Sequence, residues 1–96
     1  MTMDLRIQAI HFDASEKLEA FISKKADRIV RHFPAITAVD VTLKVVKPET
    51  ANNKEALVKV TIPQQDEYVS TKVADSFEEA IDLALEALER QMEKNK

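Results

Sequence analysis

Four cations recur along one stretch of this chain: Lys17, Lys24, Arg28 and Arg31, at steps of seven, four and three residues. On a helix of 3.6 residues per turn these positions share an arc of about 60°. Like charges at that spacing repel one another, so the row costs folding free energy unless an anion lies against it. Lysine and arginine in a row neutralise phosphate, which makes a polyanion the first partner to consider. Lys25 and His32 flank the row and widen its basic surface. The plainer reading is a solvated helix face, with Glu16, Glu19 and Asp27 offering partial neutralisation.

The row stands out because the chain is acidic overall. It holds 14 Lys and Arg against 17 Asp and Glu, a net charge of −3. The imbalance is uneven: residues 1–47 carry +2 and residues 48–96 carry −5. Glu78, Glu79, Asp82, Glu86, Glu89 and Glu93 recur at helical spacing near the end and would repel nucleic acid.

Other chemistry finds little support. His11 and His32 are separated by a whole helix and lack acid or nucleophile companions, so no general base can be named. The late carboxylates have no spacing of a calcium loop, and the chain contains no cysteine, so neither a metal site nor a thiol nucleophile is expected. Glycine is also absent. Phosphate loops and dinucleotide fingerprints need it for close backbone approach. No cofactor, small-molecule substrate or enzymatic reaction is therefore expected. The N-terminus lacks a long apolar run, which argues against a signal peptide or a membrane span and for a cytoplasmic protein.

The elements that must carry the cations follow from periodicity. Leu5, Ile7 and Ala9 alternate with Arg6, Gln8 and Ile10, a short strand. Asp13 or Ser15 can cap a helix whose apolar positions are Leu18, Phe21, Ile22, Ile29, Val30 and Phe33, ended by Pro34. Val39, Val41, Leu43 and Val45 form a second alternating strand. A polar connection over 48–54 leads to a third strand with Val58, Val60 and Ile62, closed by Pro63. After a turn at 64–67, Tyr68 to Ala74 alternate again, with Val69, Thr71 and Val73 on one side. Ser76 and Glu79 stand in capping-box spacing before a final helix with Phe77, Ala80, Ile81, Ala84, Leu85, Leu88 and Met92 on its apolar face.

The order β-α-β-β-β-α predicts one α+β domain over residues 1–96: a two-layer sandwich, with a mainly antiparallel four-stranded sheet and two helices on one face. The sheet face opposite the core is expected to add Arg6, Lys44, Lys59 and Lys72. Only Tyr68 is an aromatic residue within the strands, so base stacking across the sheet is not expected. RNA, if bound, would be read by shape and phosphate.

The last helix carries a more specific pattern: Ala80-Ile81-Asp82, then Leu88-Glu89-Arg90-Gln91-Met92, then Lys94. This resembles the ribosome hibernation-promoting factor family, which includes the ribosome-associated inhibitor called protein Y. Leu18, Phe21, Lys25, Arg28, Ile29 and Phe33, and the run Leu43-Lys44-Val45, are similar too. The likeness spans nearly the whole chain, with Arg90-Gln91 its most specific part. It implies a fold like the double-stranded-RNA-binding domain, and a cytoplasmic stress-response factor that occupies the mRNA and tRNA decoding region of the small ribosomal subunit. Its partner would be the subunit's rRNA, with ribosomal proteins or another hibernation factor as further candidates. The resemblance assigns rRNA contacts to Lys25, Arg28, Arg31, Arg90 and Lys94, and the helical row adds Lys17 and Lys24.

The pattern departs from the family on the last helix. Ala87 stands where a lysine is usual, and Glu78 stands where an aromatic is usual, with Phe77 one place earlier. These differences concentrate the expected phosphate contacts on the first helix and the sheet. The chain's end after the second helix resembles the short form of the family. The rival expectation is a protein-interaction module of the same fold, using the acidic helix face or a sheet edge.

Overall fold

Residues 4–10, 15–46, 53–63 and 67–94 are described by a computed structural model. Six elements follow in the expected order: β1 (Asp4–Ala9), α1 (Glu16–His32), β2 (Ala38–Val45), β3 (Lys54–Thr61), β4 (Tyr68–Ala74) and α2 (Phe77–Lys94). Chain order is also sheet order, β1-β2-β3-β4. β1 runs parallel to β2, with Leu5 beside Val39 and Ile7 beside Val41, and the other two pairings are antiparallel. A parallel pair needs a crossover, and α1 supplies it.

Both helices begin on serine caps. Ser15 Oγ accepts from the Leu18 N–H at 3.1 Å, and Ser76 Oγ accepts from the Glu79 N–H at 3.2 Å. Acidic residues occupy the first turn of each helix and basic residues the last, matching the helix dipole. The alternative cap Asp13, with His11, lies outside the described residues. α1 ends at Phe33, whose N–H donates to the Ile29 carbonyl at 3.0 Å. Its backbone there has φ −132° and ψ 78°, so the helix stops without a left-handed residue in a chain that has no glycine. β3 starts at Lys54, four residues before the valine alternation; most of the polar connection before it, and most of the turn at 64–67, lie outside the described residues.

The two helices lie on one face of the sheet. α2 covers β3 and β4, while α1 packs beside α2 and toward β1. Ile22 and Ile29 of α1, Val39 and Leu43 of β2, Val58 and Val60 of β3, and Ile81 and Leu88 of α2 are the largest fully buried side chains. Directly opposed residues of paired strands share a face, so this register also fixes the outer side of the sheet. Arg6, Lys44 and Lys59 lie on the open face, as expected. Lys72 does not. It pairs with the buried Ala56 and so belongs to the helix-covered side, where its long stem lets the ammonium reach solvent at the sheet margin. Val69, Thr71 and Val73 take the open face instead. Among the described residues, no helix is long and apolar enough to cross a membrane.

Candidate nucleic-acid interface

The period of α1 sorts its side chains cleanly. Leu18, Ile22, Ala26 and Ile29 go inward, and Lys17, Lys24, Arg28 and Arg31 are all exposed on the outer face. Among the described residues none of these four has a carboxylate partner within ion-pair reach. They form a ladder of cations along the helix, none of them ion-paired among the described residues. A surface groove of about 520 Å³ runs beside it, lined by Phe21, Lys24, Lys25, Asp27, Arg28 and Arg31.

Lys25 sits differently from the ladder. It is half-buried, and its Nζ meets Asp82 Oδ1 of α2 at 3.1 Å. The same ammonium lies 5.4 Å from the centre of the Phe21 ring, a cation–π contact one helical turn back. Lys25 therefore ties α1 to α2, and a phosphate would have to compete with Asp82 for it. The spacing of four residues between Phe21 and Lys25 signals the ring contact in the sequence. Nothing local signals Asp82, because that pairing exists only once the helices pack.

The acidic row of α2 lies next to the basic one. Asp82, Glu86 and Glu89 line a second groove, about 380 Å³, together with Leu85, Lys25 and Arg28. The inner edge of the basic ladder thus faces carboxylates across the helix seam, while its outer edge faces solvent. Arg90 and Lys94 are exposed but are not brought to the ladder. Both lie on the exposed surface of α2, and the Arg90 guanidinium donates at 2.7 Å to Oε1 of Glu86, itself a lining residue of the second groove. His32 is exposed at the end of α1 with its ring edge-on to Phe33. On the open sheet face, Lys59 pairs with Glu67 at 2.6 Å, and Arg6 and Lys59 share a shallow depression with Asp40. Among the described residues, no three His, Asp or Glu converge as metal ligands.

What the arrangement can do is bind a polyanion along one helix. The cations are exposed, regularly spaced and held on a rigid element, which suits phosphate contact without base readout.

The chain and its fold are similar to known proteins. The chain is 30% identical over 95 residues to a ribosome hibernation promotion factor from Bacillus subtilis, covering 98% of this chain and 49% of the relative. It is 31% identical over 94 residues to a ribosome hibernation promoting factor from Azotobacter vinelandii, covering 98% of this chain and 83% of that one. The chain therefore spans about half the length of the Bacillus protein. Its fold matches a ribosomal subunit interface protein from Coxiella burnetii with a TM-score of 0.84 at 22% identity, over 97% of both chains. The N-terminal domain of Thermus thermophilus protein Y matches with a TM-score of 0.77 at 20% identity, over all of both chains. The family model described as Sigma 54 modulation protein / S30EA ribosomal protein matches residues 5–96, and the chain belongs to that family.

Proposed function

We propose that this protein is a non-enzymatic ribosome hibernation factor, which binds the small ribosomal subunit through rRNA phosphates and blocks translation by occupying the mRNA and tRNA decoding region. The observation that carries the reading is the exposed ladder Lys17, Lys24, Arg28 and Arg31, with no ion pair among the described residues. Membership of the family and the names of its Bacillus and Azotobacter relatives supply the ribosome as the polyanion. The cytoplasm is the compartment this partner requires. Lys25 adds to the contact when phosphate displaces Asp82. Arg90 and Lys94, exposed on α2, reach rRNA only where it extends over the second helix.

Co-sedimentation with purified small subunits across a salt series tests the reading. Each neutralised phosphate releases counterions, and four contacts give a log–log salt slope of about −3 to −4. Pelleting that is lost steeply between low and moderate salt is the expected result. Absence of pelleting at low salt would refute the reading.

The acidic seam sets how tightly the ladder binds. Glu86→Gln with Glu89→Gln removes two carboxylates beside Arg28 and leaves the core untouched. Subunit affinity should rise by about threefold to tenfold at low salt, and the gain should shrink as salt screens the seam. Competition titration against labelled wild-type protein measures it.

A further inference from the structure

The cation ladder on α1 is unevenly spaced. Arg28 follows Lys24 by about 6 Å along the helix axis and Arg31 follows Arg28 by about 4.5 Å, but about 10.5 Å separates Lys17 from Lys24. Phe21 stands in that gap, within about 60° of both flanking lysines around the axis. Its ring is half-buried. It packs against the core cluster and also lines the groove of about 520 Å³ shared with Lys24, Lys25, Arg28 and Arg31. An aromatic surface set among cations suits a single nucleic-acid strand, with phosphates on the charges and a base on the ring.

We propose that Phe21 is the stacking platform for one unpaired RNA base, whose neighbouring phosphates are taken by Lys17 on one side and by Lys24 and Arg28 on the other. This deepens the proposed function and rests on RNA being the polyanion there.

The base must be unpaired because of where a duplex keeps its rings. Paired bases stack on one another and present only edges and phosphates, which the ladder alone can meet. A ring at a helix surface meets a base face only where a nucleotide is splayed out of a loop, bulge or end. Among the described residues, Phe21 is the aromatic side chain that lines the grooves beside the ladder. The groove's volume lies within the roughly 300–1,000 Å³ of ligand clefts, which is room for a nucleotide. Asp27 lines the wall about 120° around the helix from Phe21. Its carboxylate repels phosphate there and keeps the backbone toward Arg28 and the ring.

Lys25 holds the ring until the base arrives. Its Nζ lies 5.4 Å from the centre of the Phe21 ring and 3.1 Å from Asp82 Oδ1. Stacking displaces the ammonium from the ring, and the phosphate of the same nucleotide offers it an anion in exchange for Asp82. The stack is indifferent to base identity, because every base has a π face and a phenyl ring offers no hydrogen bond. The contact therefore selects unpaired RNA rather than a sequence.

Fluorescence anisotropy at low salt tests the inference with two probes, a labelled single-stranded RNA of about twelve nucleotides and the duplex formed from it. Phe21→Leu keeps an apolar side chain against the core and removes the stacking face. It should weaken single-strand binding about fivefold to a hundredfold, with duplex binding and the salt slope unchanged. Phe21→Trp should bind like the wild type. Its indole, in a chain with no other tryptophan, should be quenched by the single strand and not by the duplex. That variant carries the test should the leucine variant misfold by circular dichroism. Equal single-strand affinity of wild type and folded Phe21→Leu would overturn the inference, as would an indole that stays unquenched in the bound complex. Co-sedimentation with small subunits reports on the ribosome separately. Stacking without pelleting would uphold the platform and remove the ribosome as the source of its RNA. Pelleting without stacking would remove the platform and leave the ribosome reading in place.

Discussion

Arg28→Glu combined with Arg31→Glu should abolish binding to the small ribosomal subunit while leaving the fold intact. Both side chains are exposed and neither contributes to the core. Reversal removes two phosphate contacts and turns two attractions into repulsions, in the C-terminal half of the ladder, where neighbouring phosphates also feel the change. The loss should be on the order of a hundredfold or more, and the residual salt slope should flatten by about two. Folding stability should stay within about 0.5 kcal/mol, because exposed substitutions away from caps and core rarely do more. Reversal also relieves repulsion along α1. Co-sedimentation beside thermal unfolding separates the two properties. Unaltered pelleting of the double variant would mean that the ladder is only a solvated face.

Leu88→Ala should have the largest effect on stability. Leu88 is fully buried in α2, within the cluster that includes Ile81 of the same helix and Val58 and Val60 of β3. Truncation forfeits the transfer free energy of the lost carbons and leaves a cavity, a cost of about 2–5 kcal/mol. A domain of this size is stable by about 5–15 kcal/mol, so the variant should melt at least about 10 °C lower. Gln91→Ala, at an exposed position of the same helix, should shift the midpoint little. Urea unfolding of the pair checks both statements. Equal midpoints would contradict the packing of α2 onto the sheet.

Much of this fold is legible in the residue pattern because its strongest signals are local. Ser15 and Ser76 mark both helix starts, and each apolar residue assigned to the face of α2 is buried or half-buried. The alternation in β2 likewise gives Val39, Val41 and Leu43 to the core. Alternation does not say which face is inside when both carry suitable residues. In β4, Val69 and Val73 are the apolar partners of the pattern, yet the pairing of Ala56, Val58 and Val60 with Lys72, Ser70 and Tyr68 turns the valines outward. Cross-strand register decided that question, and it also moved Lys72 to the covered side. The candidate interface divides in the same way. The ladder on α1 is readable because one helix period creates it. The engagement of Lys25 with Asp82, and the separation of Arg90 and Lys94 from the ladder, depend on how two helices lie side by side.

The parallel pairing of β1 has a consequence for the order of assembly. Asp4 finds its partner at Ala38, thirty-four positions later, and all of α1 lies between them. β2, β3 and β4 each meet the element that follows directly in the chain. As the polypeptide is synthesised from its N-terminus, the first strand made has nothing to pair with until the helix and β2 have both emerged. Closing that long loop carries an entropy cost that the adjacent hairpins avoid. The inward residues of β1 are only half-buried, so the strand gains comparatively little on docking. β1 thus waits across a whole helix for the strand that seats it, whereas each later strand is joined by the element made next.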